Sequence, residues 1–264
     1  MITSGRRERA TTCRPRGTAG GGLPATLAVL LALLGPGGPA AAEPPAGRFP
    51  ILAMPGRAHV GPLPPLTADE TALAAALESD VRRLALDIGQ RHPAAFGAAG
   101  LRAAEEFLHA ALVAAGYEPE RQAWETRGVT VANLVATVPG GAKRDEIVVV
   151  GGHYDTVPDC PGANDNGSGT AATLALARRL AGARPARTLR FCFFVNEEPP
   201  WFQTDDMGSL RYARRCRDRG ERIVGMLSLE TMGYYSDAAG SQRFDPFPPL
   251  KLLYPDAGNF IAFV

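Results

Sequence analysis

Residues 146–152 contain Ile147-Val148-Val149-Val150, four apolar residues with no polar alternation. A strand with one wet face alternates, whereas one that is apolar throughout is covered on both faces, as inside a sheet clad by helices. This segment predicts a central strand of a layered α/β domain. Residues 129–138 alternate and then meet Pro139-Gly140-Gly141, which predicts a strand turning into the central one. Runs over 189–195 and 223–229 predict two more strands. Thr67-Ala68-Asp69-Glu70 is a capping-box pattern, and Leu73, Leu77, Val81 and Leu84 follow it at helical spacing, predicting a helix to about Gln90. Further helices are expected over 101–115, closed by Gly116, and over 168–180 and 209–217. Strands alternating with helices imply βαβ units and a three-layer α/β/α fold with a mostly parallel central sheet.

The 264 residues, 45% hydrophobic and 21% charged, suffice for one sizeable core. A formal charge of +1, with basic residues spread along the chain, argues against nucleic acid as a partner. Arg6, Arg7 and Arg9 precede an apolar run over 23–34, and Ala40-Ala41-Ala42 offers small residues for cleavage, so residues 1–42 read as a signal peptide. The run falls short of the roughly 20 residues needed to cross a bilayer, so the expected destination is secreted or periplasmic, without a stable membrane span. Residues 43–66 hold seven prolines and no apolar period, an extended linker or arm, and the domain proper spans 67–264. Beyond the leader, Cys160, Cys192 and Cys216 allow at most one disulfide.

The chemistry gathers at the carboxyl ends of the expected strands, where open α/β sheets bind ligands. His153 and Asp155 follow the first, Glu197 and Glu198 another, Glu230 a third, and Asp165 lies in the intervening loop just before a helix. Five carboxylates on one edge would raise one another's pKa unless cations sat among them. A mixture of imidazole nitrogen and carboxylate oxygen suits zinc better than calcium or magnesium. His59, His92 and His109 precede these motifs and are expected at the surface or in packing. The arginines between Arg211 and Arg222 read as a solvated face.

His153-Tyr154-Asp155-Thr156, Pro161-Gly162-Ala163-Asn164-Asp165-Asn166-Gly167-Ser168-Gly169, Asn196-Glu197-Glu198 and Glu230-Thr231-Met232-Gly233-Tyr234 resemble the di-zinc exopeptidases of peptidase clan MH, family twenty-eight, the group of bacterial leucyl aminopeptidases and glutamate carboxypeptidases. The resemblance implies two Zn2+, with Asp165 bridging them, His153 and Glu230 on one and Glu198 on the other. It implies that Asp155 orients His153 and that Glu197 is the general base acting on a peptide or aminoacyl substrate. It also implies a cis peptide between Asp165 and Asn166. Departures are Glu230 where most relatives have Asp, nine residues between Glu198 and Gly208, and no histidine after His153, where the family has a further ligand. On that resemblance the domain is incomplete at its C-terminus and the chain as it stands has little activity. Trp201 and Phe202 are expected either to overhang the metal site or to pack on the neighbouring helix. Two other readings are a glutaminyl-cyclase-like transferase with one zinc and a non-catalytic binding domain. The Asn164-Asp165-Asn166-Gly167 segment argues against the first and the Glu197-Glu198 pair against the second.

Overall fold

The structure is a computed structural model that describes residues 63–243, 256–259 and 261. The expected leader, most of the linker and His59 lie outside the described residues. The unit described here is Pro64–Gln242.

Helix α1, Ala68–Arg82, starts at the expected capping box. The Thr67 hydroxyl accepts the Glu70 N–H at 3.2 Å, and Glu70 Oε2 accepts the Thr67 N–H at 2.7 Å. Its last turn widens into a π-helical turn over Arg83–Ile88, which Gly89 ends with φ +79°. Helical spacing located this helix, but its packing is narrower than the spacing suggests. Leu73 is exposed, and burial concentrates at Leu84 and Ala85, with Asp80 buried in an ion pair to Arg178. Helix α2 is Ala98–Ala114, with Gly116 (φ +92°) just after it, as expected.

The sheet contains β1 (Glu120–Thr126), β2 (Val129–Val138), β3 (Lys143–His153), β4 (Arg187–Phe194) and β5 (Arg222–Ser228), in the order β1-β2-β4-β3-β5. Helix α3, Gly169–Leu180, connects β3 to β4, and α4, Gly208–Asp218, connects β4 to β5. The pairs β3/β4 and β3/β5 are parallel, whereas β1/β2 and β2/β4 are antiparallel. The sheet is therefore mixed, which corrects the expectation of a mostly parallel one. Two strands make it so: β2 runs antiparallel to β4, and β1, absent from the sequence reading, adds a second antiparallel pair through a two-residue hairpin in which Arg127 and Gly128 both take positive φ.

Side chains alternate across the sheet with period two. Leu134, Ala136, Val150, Phe191 and Phe193 pack with Leu108 and Leu112 of α2 and Leu174 of α3. Val135, Ile147, Val149, Cys192 and Phe194 face the other way, against Tyr212 and Cys216 of α4. That gives the expected three layers. Among the described residues, Cys160, Cys192 and Cys216 are free. No helix among the described residues is long and apolar enough to cross a membrane.

Candidate metal centre

Because β3, β4 and β5 run parallel, their carboxyl ends share one edge of the sheet. His153 is the last residue of β3; Glu197 and Glu198 follow β4, and Glu230 follows β5. Asp165 arrives on the turn Ala163–Ser168, which leads directly into α3. Gly162 opens that turn at φ +57°, and a Cβ there would stand 2.3 Å from Thr156 Cγ2 and 2.6 Å from the Asp165 carbonyl oxygen, so only glycine fits. The peptide between Asp165 and Asn166 is cis, as expected. Gly169, first in α3, lets that helix approach the site: a Cβ there would lie 2.2 Å from the Leu229 carbonyl oxygen.

His153 is buried with its Nε2 facing the acids, at 3.2 Å from Asp165 Oδ1, 3.6 Å from Glu197 Oε2 and 3.6 Å from Glu230 Oε2. One ligand atom each from His153, Asp165 and Glu198 lie within 4.8 Å of one another. Glu230 reaches His153 but stands outside that trio. Its Oε2 accepts from Asn166 Nδ2 at 2.9 Å, and the same amide donates to the Leu229 carbonyl at 2.9 Å. On the far side of the imidazole, Asp155 is fully buried, its Oδ1 3.4 Å from His153 Nδ1. Asp155 Oδ1 and Oδ2 also accept the backbone N–H groups of Glu197 and Glu198 at 3.3 and 3.2 Å. One carboxylate thus joins the ends of β3 and β4. All six residues singled out from the sequence converge.

The charges are unbalanced without a cation. Burial pushes the Glu198 carboxyl up to about 7, with Asp165 close by adding to the effect. Burial likewise raises Glu197; His153 opposes the rise, and Asp155, Glu230 and Asp165 reinforce it. Burial pulls His153 down, but Asp155, Asp165 and Glu230 outweigh it and hold the imidazole well above its usual value. Asp165 is lowered by its hydrogen bond to His153. A divalent cation among these oxygens would offset their mutual repulsion. The donor set of one imidazole nitrogen and clustered carboxylate oxygens fits zinc.

Sequence reasoning gave no role to three residues. Asn166 holds Glu230, Thr170 holds the His153 carbonyl through its hydroxyl at 2.7 Å, and Arg91 is a fully buried cation behind the metal loop. Asn166 stood in the recognised motif, but nothing local marked Arg91, whose side chain joins the nearby Leu84 and Gly89 carbonyls to those of Tyr154, Pro161 and Gly162 more than sixty residues on. His92 is buried, stacked on Phe96 at 4.8 Å, and His109 is exposed. Trp201 is buried too. Its Nε1–H donates to Thr126 Oγ1 at 2.8 Å and its ring meets His92 edge-on at 5.3 Å, so it packs, but against the end of β1 and His92 rather than against the helix expected. Phe202 beside it is half exposed. The arginine-rich α4 is laced by ion pairs, such as Arg214 to Asp205 and Arg215 to Glu120.

One imidazole and clustered carboxylates at the carboxyl edge of a mixed α/β sheet form a site suited to a metal ion. Residues 133–248, which include all six site residues, match the family model of Peptidase family M28, the family whose motifs the sequence resembles. The chain is 35% identical over 197 residues to the uncharacterized protein YfbL of Escherichia coli (strain K12), a match covering 71% of this chain and 58% of that protein. It spans 23% to 33% of the length of further relatives, most of them named probable zinc metalloproteases. Among solved structures, BSAP, a zinc aminopeptidase from Bacillus subtilis, has a TM-score of 0.55 at 15% identity, covering 64% of this chain and 71% of that one. Porphyromonas gingivalis glutaminyl cyclase has a TM-score of 0.52 at 24% identity, covering 63% and 61%. Both likenesses are of fold.

Proposed function

We propose that this protein is a zinc-dependent exopeptidase, an aminopeptidase in the first instance, which removes a terminal residue from a peptide or aminoacyl substrate. The observation that carries the reading is the trio His153, Asp165 and Glu198, with ligand atoms within 4.8 Å of one another and Glu197 beside them. His153, Asp165, Glu198 and Glu230 would hold two zinc ions, with Asp165 central to both. Bound zinc would supply Lewis-acid polarisation of the scissile carbonyl and a more acidic water. Asp155 fixes the orientation of the His153 ring from behind, as carboxylates next to ligating histidines commonly do. Glu197 takes a proton from the attacking water and delivers it to the leaving amine. Burial raises its pKa, and a base of higher pKa holds a proton more readily. The leader over residues 1–42 supports work outside the cytoplasm, secreted or periplasmic.

The fold is shared with glutaminyl cyclases, so the test must separate hydrolysis from cyclisation. The protein is assayed for zinc content, for amino-acid release from aminoacyl reporters, and for ring closure of N-terminal glutamine. The expected result is two zincs, hydrolysis abolished by chelation and restored by zinc, and no cyclisation. Glu197→Gln should lower kcat by roughly 10²- to 10⁴-fold with zinc content unchanged. One zinc with cyclisation alone would make the protein a transferase, and a fully active Glu197→Gln would remove the assigned base.

A further inference from the structure

Arg91 is 0% exposed, yet it makes no ion pair with a carboxylate among the described residues. Its guanidinium donates to main-chain carbonyls instead. Nε–H bonds the Tyr154 oxygen at 2.7 Å, between His153 and Asp155 in sequence. Nη1 reaches Leu84 and Gly89 at 2.9 Å each and Pro161 at 2.7 Å. Nη2 reaches Gly162 at 3.0 Å. The Gly162 carbonyl also accepts the Gly167 N–H at 2.9 Å, so the turn that presents Asp165 is closed on an oxygen that Arg91 holds. The main chain of Arg91 is fixed as well: its N–H donates to Thr156 Oγ1 at 3.0 Å, and its carbonyl accepts the Thr156 N–H at 3.2 Å.

One side chain therefore ties three segments: the end of α1, the stretch just after β3, and the start of the Asp165 turn. A buried cation is costly to desolvate, and burial lowers the Arg91 pKa to about 10, with Asp155 opposing the drop. A residue that served only to close a helix would not need a charge or a five-donor fork. The geometry points to Arg91 as a positioning residue of the metal site, which sets the Asp165 turn against the His153–Asp155 segment and thereby sets zinc affinity. This rests on the zinc reading above. Lysine keeps the charge but offers one compact ammonium with three donors, which cannot serve carbonyls on three segments in one plane.

The test uses the full protein with Arg91→Lys and Arg91→Met, titrated with zinc against a chromophoric chelator and with cobalt followed by its visible absorption. Both variants should bind zinc about 10- to 100-fold more weakly, the loss typical of an outer partner of a ligand. The cobalt band should shift, while amide exchange in the β4 core stays as in the wild type. Arg91→Lys that folds and binds zinc with wild-type affinity and an unchanged cobalt band overturns the inference. Should neither variant fold, the wild type decides, because coupling between two sites is reciprocal. Zinc must then slow hydrogen exchange of the Arg91 Nε–H by about tenfold or more, the lower end of the same range; unchanged exchange overturns the inference. A wild type that binds no zinc would sink the metal reading and this inference with it, whereas wild-type binding with an indifferent Arg91 sinks the inference alone.

Discussion

Trp201 and Phe202 are adjacent in sequence and of similar character, yet the protein treats them differently. Trp201 is 2% exposed, bonded to Thr126, edge-on to His92 and beneath the Arg127 guanidinium at 5.1 Å. Phe202 has none of these contacts and is 49% exposed. Trp201→Ala should therefore cost on the order of 3–5 kcal/mol in urea unfolding and leave the ranking of substrates unchanged. Phe202→Ala should stay within about 0.5 kcal/mol. Unchanged stability with a reordered substrate preference in Trp201→Ala would restore the pocket role that packing has displaced. The sequence could not decide this, because the partner that settles it, Thr126, lies 75 residues away. The candidate metal-site residues were legible for the opposite reason: five sit at or just after the end of a strand and Asp165 in the turn that opens α3, so local pattern sufficed to bring them to one edge. Arg91 was illegible because carbonyls carry no residue signature.

At the scale of elements, α4 is pinned to the sheet by a polar contact inside an apolar layer. Arg190 of β4 donates through Nη1 and Nη2 to Glu221 Oε2 and Oε1, at 2.5 and 2.9 Å, and its Nη1 also donates to the Tyr212 hydroxyl of α4 at 3.2 Å. The hydrogen bond to Arg190 holds the Glu221 carboxyl down at about 2. A carboxylate whose pKa is depressed on folding stabilises fully above its unfolded value and loses that contribution as pH falls through the folded value. Glu221→Gln should thus cost on the order of 2–3 kcal/mol at neutral pH, and its unfolding curve should converge with that of the wild type near pH 2 and below. A gap that stays constant down to that pH would mean the pair acts by shape, with no contribution from charge. The helices, and four of the five strands, were legible from apolar periodicity. Strand β1 was not, since Glu120–Thr126 is mostly polar and owes its pairing to the turn at Arg127-Gly128.

Across the whole molecule, the two ends of the sheet order differ in character. Strand β1 is rich in polar side chains, whereas β5 carries Ile223, Val224, Met226 and Leu227, all at least a third exposed. Among the described residues β5 pairs with β3 alone, so apolar side chains and unpaired main-chain groups coincide on one strand. Such a strand templates association with other chains. Val224 sits at the register shift in the β3/β5 ladder, outside the paired positions. Val224→Lys should raise the concentration at which light scattering appears and leave zinc affinity alone. If scattering begins at the same concentration, β5 is not the route to association.

Asp155 offers the imidazole of His153 and the amides of Glu197 and Glu198 the same two oxygens. The proposed ligand set and the proposed base are therefore not separate inheritances that drift can alter one at a time: a lineage that loses this carboxylate loses the alignment of both. Their mutational effects should be strongly sub-additive. In a double-mutant cycle, Asp155→Asn imposed on Glu197→Gln should lower kcat/KM by far less than it does in the wild type, with a coupling of about 0.5–3 kcal/mol. Additive losses would show that the two strand ends are held independently, and that either could be rebuilt for new chemistry without disturbing the other.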